Sequence, residues 1–317
     1  TKDQTLGLWH LRFNHLNEED LKQLARTNAT RGLEMSGGHA VKGRCSGCAL
    51  GKQHRDPFPQ AEKRETKILE LIHSVLIGPL PETIQTRKKW IMVLIDDCSR
   101  RSWVYLLASK DEVSETFQRW KKQVEKRTGA EVKTLRTDGG GEYINREFLE
   151  FLSEEGISKE TTTPYSPQSN GVAERFNRTL LEGVRSMLHG SGMSKSFWGE
   201  AVLCFNHTAN RTPKKGLKEG MTPYEAFYGV KPSVYHLRPF GCRVSIHTPD
   251  QLRRKLDPKS RPGVFLGYSL DKKAYRVWDK EKRQIVDSRD LIFYEDVLVN
   301  ENLISPGSGR PRIAENS

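Results

Sequence analysis

Four apolar runs and one change of period constrain this chain more than any other feature. Residues 68–77, 90–95, 103–107 and 132–135 are short, apolar and rich in β-branched and aromatic side chains, which predicts strands. Between the third and fourth runs the period lengthens. In "SKDEVSETFQRWKKQVEKRTG", Val113, Phe117, Trp120 and Val124 fall on one helical face. Ser109 with Glu112 predicts a capping box there, and Gly129 a stop. "NREFLEFLSEEG" predicts a second helix and "ISKETTT" a short strand after it. Strands first, then helices alternating with strands, predict an α/β layer: a mixed sheet flanked by helices.

Ahead of this layer stands a ligand set. "WHLRFNH" carries His10 and His15, and after twenty-nine intervening residues "CSGC" carries Cys45 and Cys48. Two imidazoles and two thiolates complete a tetrahedral shell for Zn²⁺, and a shell closed by protein is structural rather than catalytic. "LNEEDLKQLA" offers this segment one small amphipathic helix, so a metal staple would supply folding free energy that so small a core lacks. The plainer alternative puts the histidines on a helix face, with the cysteine pair incidental. His39 and His54 are spare. The five cysteines are odd in number with one close pair, which excludes a disulfide framework and suggests a reduced, intracellular chain.

Charge and hydropathy narrow the partners. Lys and Arg number 52 against 40 Asp and Glu, a net charge of +12, which points towards a polyanion. No window approaches the ~18 uninterrupted apolar residues of a membrane span. The chain starts at Thr1 and lacks a signal-peptide pattern, which suggests a piece of a longer one.

At the end of the fourth predicted strand, "TDGGGEY" sets Asp138 before three glycines, where a ligand backbone could approach closely or where the chain simply turns. "TPYSPQSNGVAERFNRTLLEGVRSML" reads as a polar loop and then a helix from about Gly171. Its apolar stripe is Val172, Phe176, Leu180, Val184 and Met187; Glu174, Arg178 and Arg185 project from the opposite face. That face suits a metal beside a phosphate backbone, or is a solvated surface. Farther on, "SKSFWGEAVLCFNHTANRTP" predicts a helix burying Phe197, Trp198, Val202 and Phe205. From Arg238, short strands separated by turns predict a small β-barrel whose loops carry Arg253, Arg254, Lys255, Lys259, Arg261, Lys272 and Lys273.

Thirty-five residues separate Asp138 from Glu174. With "TDGGGEY", "YSPQSNGVAERFNRTL", "IDDCSRRSWVYLL" and the leading "WH…H…CxxC", the chain resembles the copia-type (Ty1/copia) integrase region of a retrotransposon Pol polyprotein. The resemblance implies a pre-integrase zinc domain over 1–58 and a linker over 59–66. An RNase H-like catalytic core over 67–232, an SH3-like barrel over 237–297 and a disordered tail over 298–317 would follow. It implies DNA integration by a D,D-35-E site that holds Mg²⁺ or Mn²⁺ on Asp138, Glu174 and an acid from the first strand. Double-stranded DNA, both element ends and target, is the implied partner, with Arg178, Arg185, Lys255 and Arg261 as contacts. It also implies homo-oligomers, a longer polyprotein, no membrane, action in the nucleus and earlier residence in cytoplasmic particles. In "LIHSVLIGP", His73 and Gly78-Pro79 match the family frame, but Val75 stands where the first acid is expected. No Asp or Glu lies between Leu71 and Pro81, so no small shift restores it. Asp96 and Asp97 are the next carboxylates, at the end of the following strand. Two functions follow: an integrase region disabled in this copy, or a host-retained DNA-binding protein derived from one.

Overall fold

The computed structural model describes residues 6–33, 45–52, 67–161 and 171–298. His39, His54, the expected linker, the polar loop before Gly171 and the tail lie outside the described residues.

The N-terminal segment forms three short helices, α1 (Leu6–Arg12), α2 (Glu18–Arg26) and α3 (Ser46–Lys52). Asn17 caps α2 by accepting from the Asp20 amide at 2.8 Å, and Glu18, Glu19 and Asp20 complement the helix dipole. Leu21 and Leu24 turn inward, as the amphipathic pattern requires.

The middle segment runs β1 (Leu71–Ile77), β2 (Trp90–Asp96), β3 (Ser102–Leu107), α4 (Glu112–Thr128), β4 (Thr134–Thr137), α5 (Arg146–Glu154), β5 (Ser158–Thr161), α6 (Gly171–Ser191), α7 (Trp198–Ala209) and α8 (Pro223–Tyr228). Its sheet has the order β3-β2-β1-β4-β5. β1–β2 and β2–β3 are antiparallel, while β1–β4 and β4–β5 are parallel. This is the mixed sheet flanked by helices that the run of strands and helices predicts. β2 is buried on both faces, and its side chains divide by the strand period of two. Met92 and Leu94 join the cluster of Phe117, Trp120 and Phe148, which α4 and α5 supply; Ile91, Val93 and Ile95 join the cluster of α6 and α7.

Two local readings shift. The Ser109 capping box is half made: Glu112 accepts from the Ser109 amide at 3.3 Å and the Ala108 amide at 2.9 Å, but Asp111 takes the cap position. β1 begins at Leu71, because Leu69 is left-handed (φ 66°) and gives its amide to Asp96 at 2.7 Å. Gly129 (φ 72°) closes α4 as expected.

The C-terminal segment is an antiparallel sheet of β6 (Cys242–His247), β7 (Ser260–Tyr268), β8 (Tyr275–Asp279), β9 (Gln284–Ser288) and β10 (Leu291–Leu298), in the order β10-β6-β7-β8-β9. It does not stand apart. One continuous apolar cluster runs from Trp9 and Phe13, through Val184, Met187 and Phe205, to Phe265 and Trp278. A bidentate pair from Arg276 of β8 to buried Glu200 of α7, at 2.7 and 2.8 Å, reinforces that junction. The N-terminal helices, α6, α7 and the C-terminal sheet therefore share a single core.

Candidate active site and metal centre

His10 leaves α1 and His15 follows a reversal in which Asn14 (φ 52°) and His15 (φ 62°) are both left-handed. His10 donates its Nδ1–H to the Leu16 carbonyl at 2.7 Å, which fixes the tautomer and frees Nε2. That Nε2 lies 3.2 Å from His15 Nδ1 and 3.4 Å from Cys48 Sγ. His15 Nδ1 lies 3.3 Å from Cys45 Sγ and 3.6 Å from Cys48 Sγ. For Zn–N of ~2.0 Å and Zn–S of ~2.3 Å, the edges of a tetrahedron come to about 3.3–3.8 Å. Four of the six edges of this cluster stand near that spacing, all six lie within 4.8 Å, and the cluster is the one such His/Cys group among the described residues. The donor set fits the ion, and both histidines are buried.

The carboxylate site is built differently. β1 and β4 pair in parallel with Leu71 opposite Thr134 and His73 opposite Arg136. Two further residues of that register bring Val75 level with Asp138, directly after β4. Val75 is 8% exposed and shares a cluster with Val172 and Ala173 at the start of α6, whose first turn carries Glu174. The sheet face at Val75 is therefore the one that α6 covers. Asp138 and Glu174 are both exposed, and Asp138 accepts from the Gly140 amide at 3.2 Å in an Asx turn through left-handed Gly139. A methyl on Gly139 would come within 2.8 Å of Thr161, so the turn keeps glycine for space as well as for φ.

The neighbouring acids do not fill the gap. Asp96 is fully buried, and both its oxygens are committed: one to the Leu69 amide, the other to the Ser99 amide and hydroxyl at 2.7 and 2.5 Å. Burial pushes its pKa up, against the hydrogen bonds from Ser99 and Leu69. Asp97 accepts from His73 Nε2 at 3.1 Å and Arg100 at 2.8 Å. Asp96 pairs with Ile72, three residues back along β1 from Val75. The structure thus offers two exposed carboxylates, Asp138 and Glu174, with an aliphatic side chain level with Asp138.

Comparison with known proteins agrees with this order. A GAG-pre-integrase domain model matches residues 1–53, an integrase core domain model 77–167, and a retroviral polymerase SH3-like domain model 242–306. The retrovirus-related Pol polyprotein from transposon TNT 1-94 of Nicotiana tabacum is 42% identical over 92% of this chain. This chain belongs to the integrase region of copia-type Pol polyproteins. The Pol polyproteins from transposons RE1 and RE2 of Arabidopsis thaliana are each 30% identical, over 95% and 92% of the chain. The chain spans 20–22% of the length of these curated relatives. A solved structure of the HTLV-2 integrase catalytic core domain in complex with magnesium (trimeric form) shares 17% identity at a TM-score of 0.38, covering 50% of this chain and 97% of that one. The core-domain match contains Asp138 but starts after Val75 and stops before Glu174. At those two positions the reading rests on strand register and on the first turn of α6.

The basic residues of this integrase region divide in two. Arg178, Arg185 and Lys255 are exposed, and the Arg185 side chain folds back to the Leu181 carbonyl at 3.2 Å. Arg261 differs from expectation. Its Nε donates to the buried Asp279 carboxylate at 2.5 Å and its Nη1 to Thr248 at 3.2 Å, with the side chain 15% exposed. Its guanidinium is tied to a buried carboxylate and only partly exposed, which leaves Arg261 less available to a phosphate than Arg178, Arg185 or Lys255. The β7–β8 ladder, which pairs Gly263 with Asp279, makes that contact, and sequence reasoning missed it. The same holds for the His73–Asp97–Arg100 chain, whose only signal was the acid pair after β2.

Proposed function

We propose that this integrase region binds double-stranded DNA, element ends and target alike, and that its phosphoryl-transfer site is crippled by Val75. The carrying observation is the β1–β4 register, which sets an aliphatic side chain level with Asp138 on the sheet face under α6. Asp138 and Glu174 are the residues that would hold a divalent ion, and such an ion supplies charge neutralisation at attacking and leaving oxygens. With the shared third carboxylate replaced, the donor set is incomplete, and no catalytic step is assigned to this chain. His10, His15, Cys45 and Cys48 hold structural Zn²⁺. Arg178, Arg185 and Lys255 contact phosphates, which gives affinity without sequence information. Homo-oligomers on paired DNA ends, membership of a longer polyprotein, action in the nucleus and assembly in cytoplasmic particles belong to the same reading.

The test joins donor oligonucleotide to target DNA in Mg²⁺ or Mn²⁺, with wild type beside Val75→Asp. A restored ligand worth several kcal/mol raises the rate by about 10² or more. Equal rates for the two proteins overturn the reading. A second reading, a retained DNA-binding protein without catalysis, is favoured by Val75 being packed as a core residue. It predicts that Val75→Asp stays inactive while both proteins bind DNA with a steep salt dependence.

A further inference from the structure

We infer that metal closure in the N-terminal segment seats α3 against α6, so that zinc occupancy governs the order of the C-terminal half of the helix that carries Glu174. The inference rests on zinc filling the four-ligand cluster, as proposed above.

α3 has seven residues, fewer than an isolated helix needs to persist in water. Cys45 precedes it and Cys48 lies within it. Its packing on α6 is as extensive as that of any strand pair in the protein. Glycines make the approach close. A methyl on Gly51 would sit 2.1 Å from Ser186 Oγ and 2.8 Å from the Glu182 carbonyl; one on Gly47 would sit 2.9 Å from the Ser186 carbonyl. The ligand His15 is wedged between the two helices, since added methyls on Gly47 and Gly190 would fall 2.9 and 3.0 Å from its ring.

The segment that carries the two histidines also leads elsewhere. α1 and its turn are anchored on α7 by Asn14, which donates to the Cys204 carbonyl at 3.2 Å and to the Thr208 hydroxyl. They are anchored on β10 by the Arg12–Glu295 ion pair. Glu295 also pairs with Arg238 at 3.2 Å. One ion would therefore join a helix seated on α6 to a helix seated on α7 and the C-terminal sheet. Without it, α3 is a short helix whose glycine-rich face contributes little burial energy of its own. Ser186 and Glu182 then lose their cover, and α6 frays from its C-terminal end towards Glu174.

Two measurements test this, neither of which uses DNA. The first is hydrogen exchange of the full chain, zinc-loaded and after chelation. The expected result is a joint loss of protection over α1, α3 and residues 182–191 of α6. Loss confined to residues 6–15 and 45–52 overturns the inference. The second is Gly51→Ala, which leaves all four ligands in place but obstructs the seat. Because coupling is reciprocal, this variant should bind Co²⁺ with an unaltered thiolate absorption band yet about tenfold more weakly, and it should exchange faster over 182–191. Unchanged affinity with unchanged exchange overturns the coupling. A wild type that takes up no stoichiometric zinc overturns the zinc assignment itself, a separate failure.

Discussion

The two metal-directed regions of this molecule sit on opposite sides of a stability question. The His10–His15–Cys45–Cys48 cluster is closed, part-buried and complete, with its donor atoms within 4.8 Å of one another. Asp138 and Glu174 are open to solvent, and on the proposed reading they lack a third acid. In the first region, with zinc bound as proposed, the ligands would hold the fold together, so losing any one of them would remove structure. In the second, on the proposed reading, clustered carboxylates would repel one another until an ion arrives, so losing one would relieve the fold while weakening the chemistry. Val75 fits that asymmetry: a β-branched residue that suits a buried strand position.

The sharpest way to break the comparison is to remove a ligand from the closed cluster. Structural zinc contributes about 10–16 kcal/mol to small zinc modules, comparable to the ~5–15 kcal/mol that stabilises a whole domain. Cys48→Ser should therefore lower the calorimetric Tm by about 10 °C or more and abolish the response to added zinc. A variant that melts with the wild type would show the cluster to be ornamental. The next largest effect belongs to the junction of α7 with the C-terminal sheet. Arg276→Met strands the Glu200 carboxylate, which is buried, and should cost about 2 kcal/mol by urea titration once the partial exposure of Arg276 is discounted. A change near zero would mean that the sheet is held by apolar packing alone.

Restoring the missing acid sharpens the contrast directly. Val75→Asp places a carboxylate at a position 8% exposed and level with Asp138, so the metal-free protein should lose about 1–3 kcal/mol. Millimolar Mn²⁺ should recover that loss in the variant and leave the wild type unmoved. If Mn²⁺ raises the wild-type Tm equally, Asp138 and Glu174 hold an ion without a third acid, and the open site is more complete than its residues indicate.

Much of this architecture was legible in the residues. Apolar runs and a change of period located the first four strands of the mixed sheet and placed the start of α6 near Gly171, because those runs and the apolar stripe of α6 are buried in the core. The vacancy at Val75 was legible through its fixed frame of His73 and Gly78-Pro79. Contacts between segments were not legible. Arg261 reads as a surface cation until the β7–β8 pairing brings Asp279 beneath it. The seat of α3 on α6 is made by Gly47 and Gly51, so its signal is an absence of side chains, which no apolar pattern can announce. The shared core likewise gathers residues as far apart as Trp9 and Trp278.

Acid separates the two regions with the smallest expected effect. His207 of α7 and His236, ahead of β6, share a hydrogen bond at 2.8 Å between their Nε2 atoms, and Tyr268 stacks on His207 with 4.0 Å between ring centroids. Burial, then Arg211 and His236, hold the His207 pKa well below its ordinary value of 6.5. Burial, then Arg211 and Arg238, lower that of His236 to about 4. Both imidazoles are thus neutral in the fold and take protons more readily once unfolded. Depressed values contribute stability that is complete above pH 6.5 and drains away as pH falls towards 4. Zinc is also lost in acid, because its histidines must be neutral to bind. His236→Gln isolates the first effect, since both proteins lose zinc alike under the same zinc excess. In urea titrations across that window the variant should show a shallower fall in unfolding free energy than the wild type. Parallel curves would assign the whole acid sensitivity to the closed metal cluster.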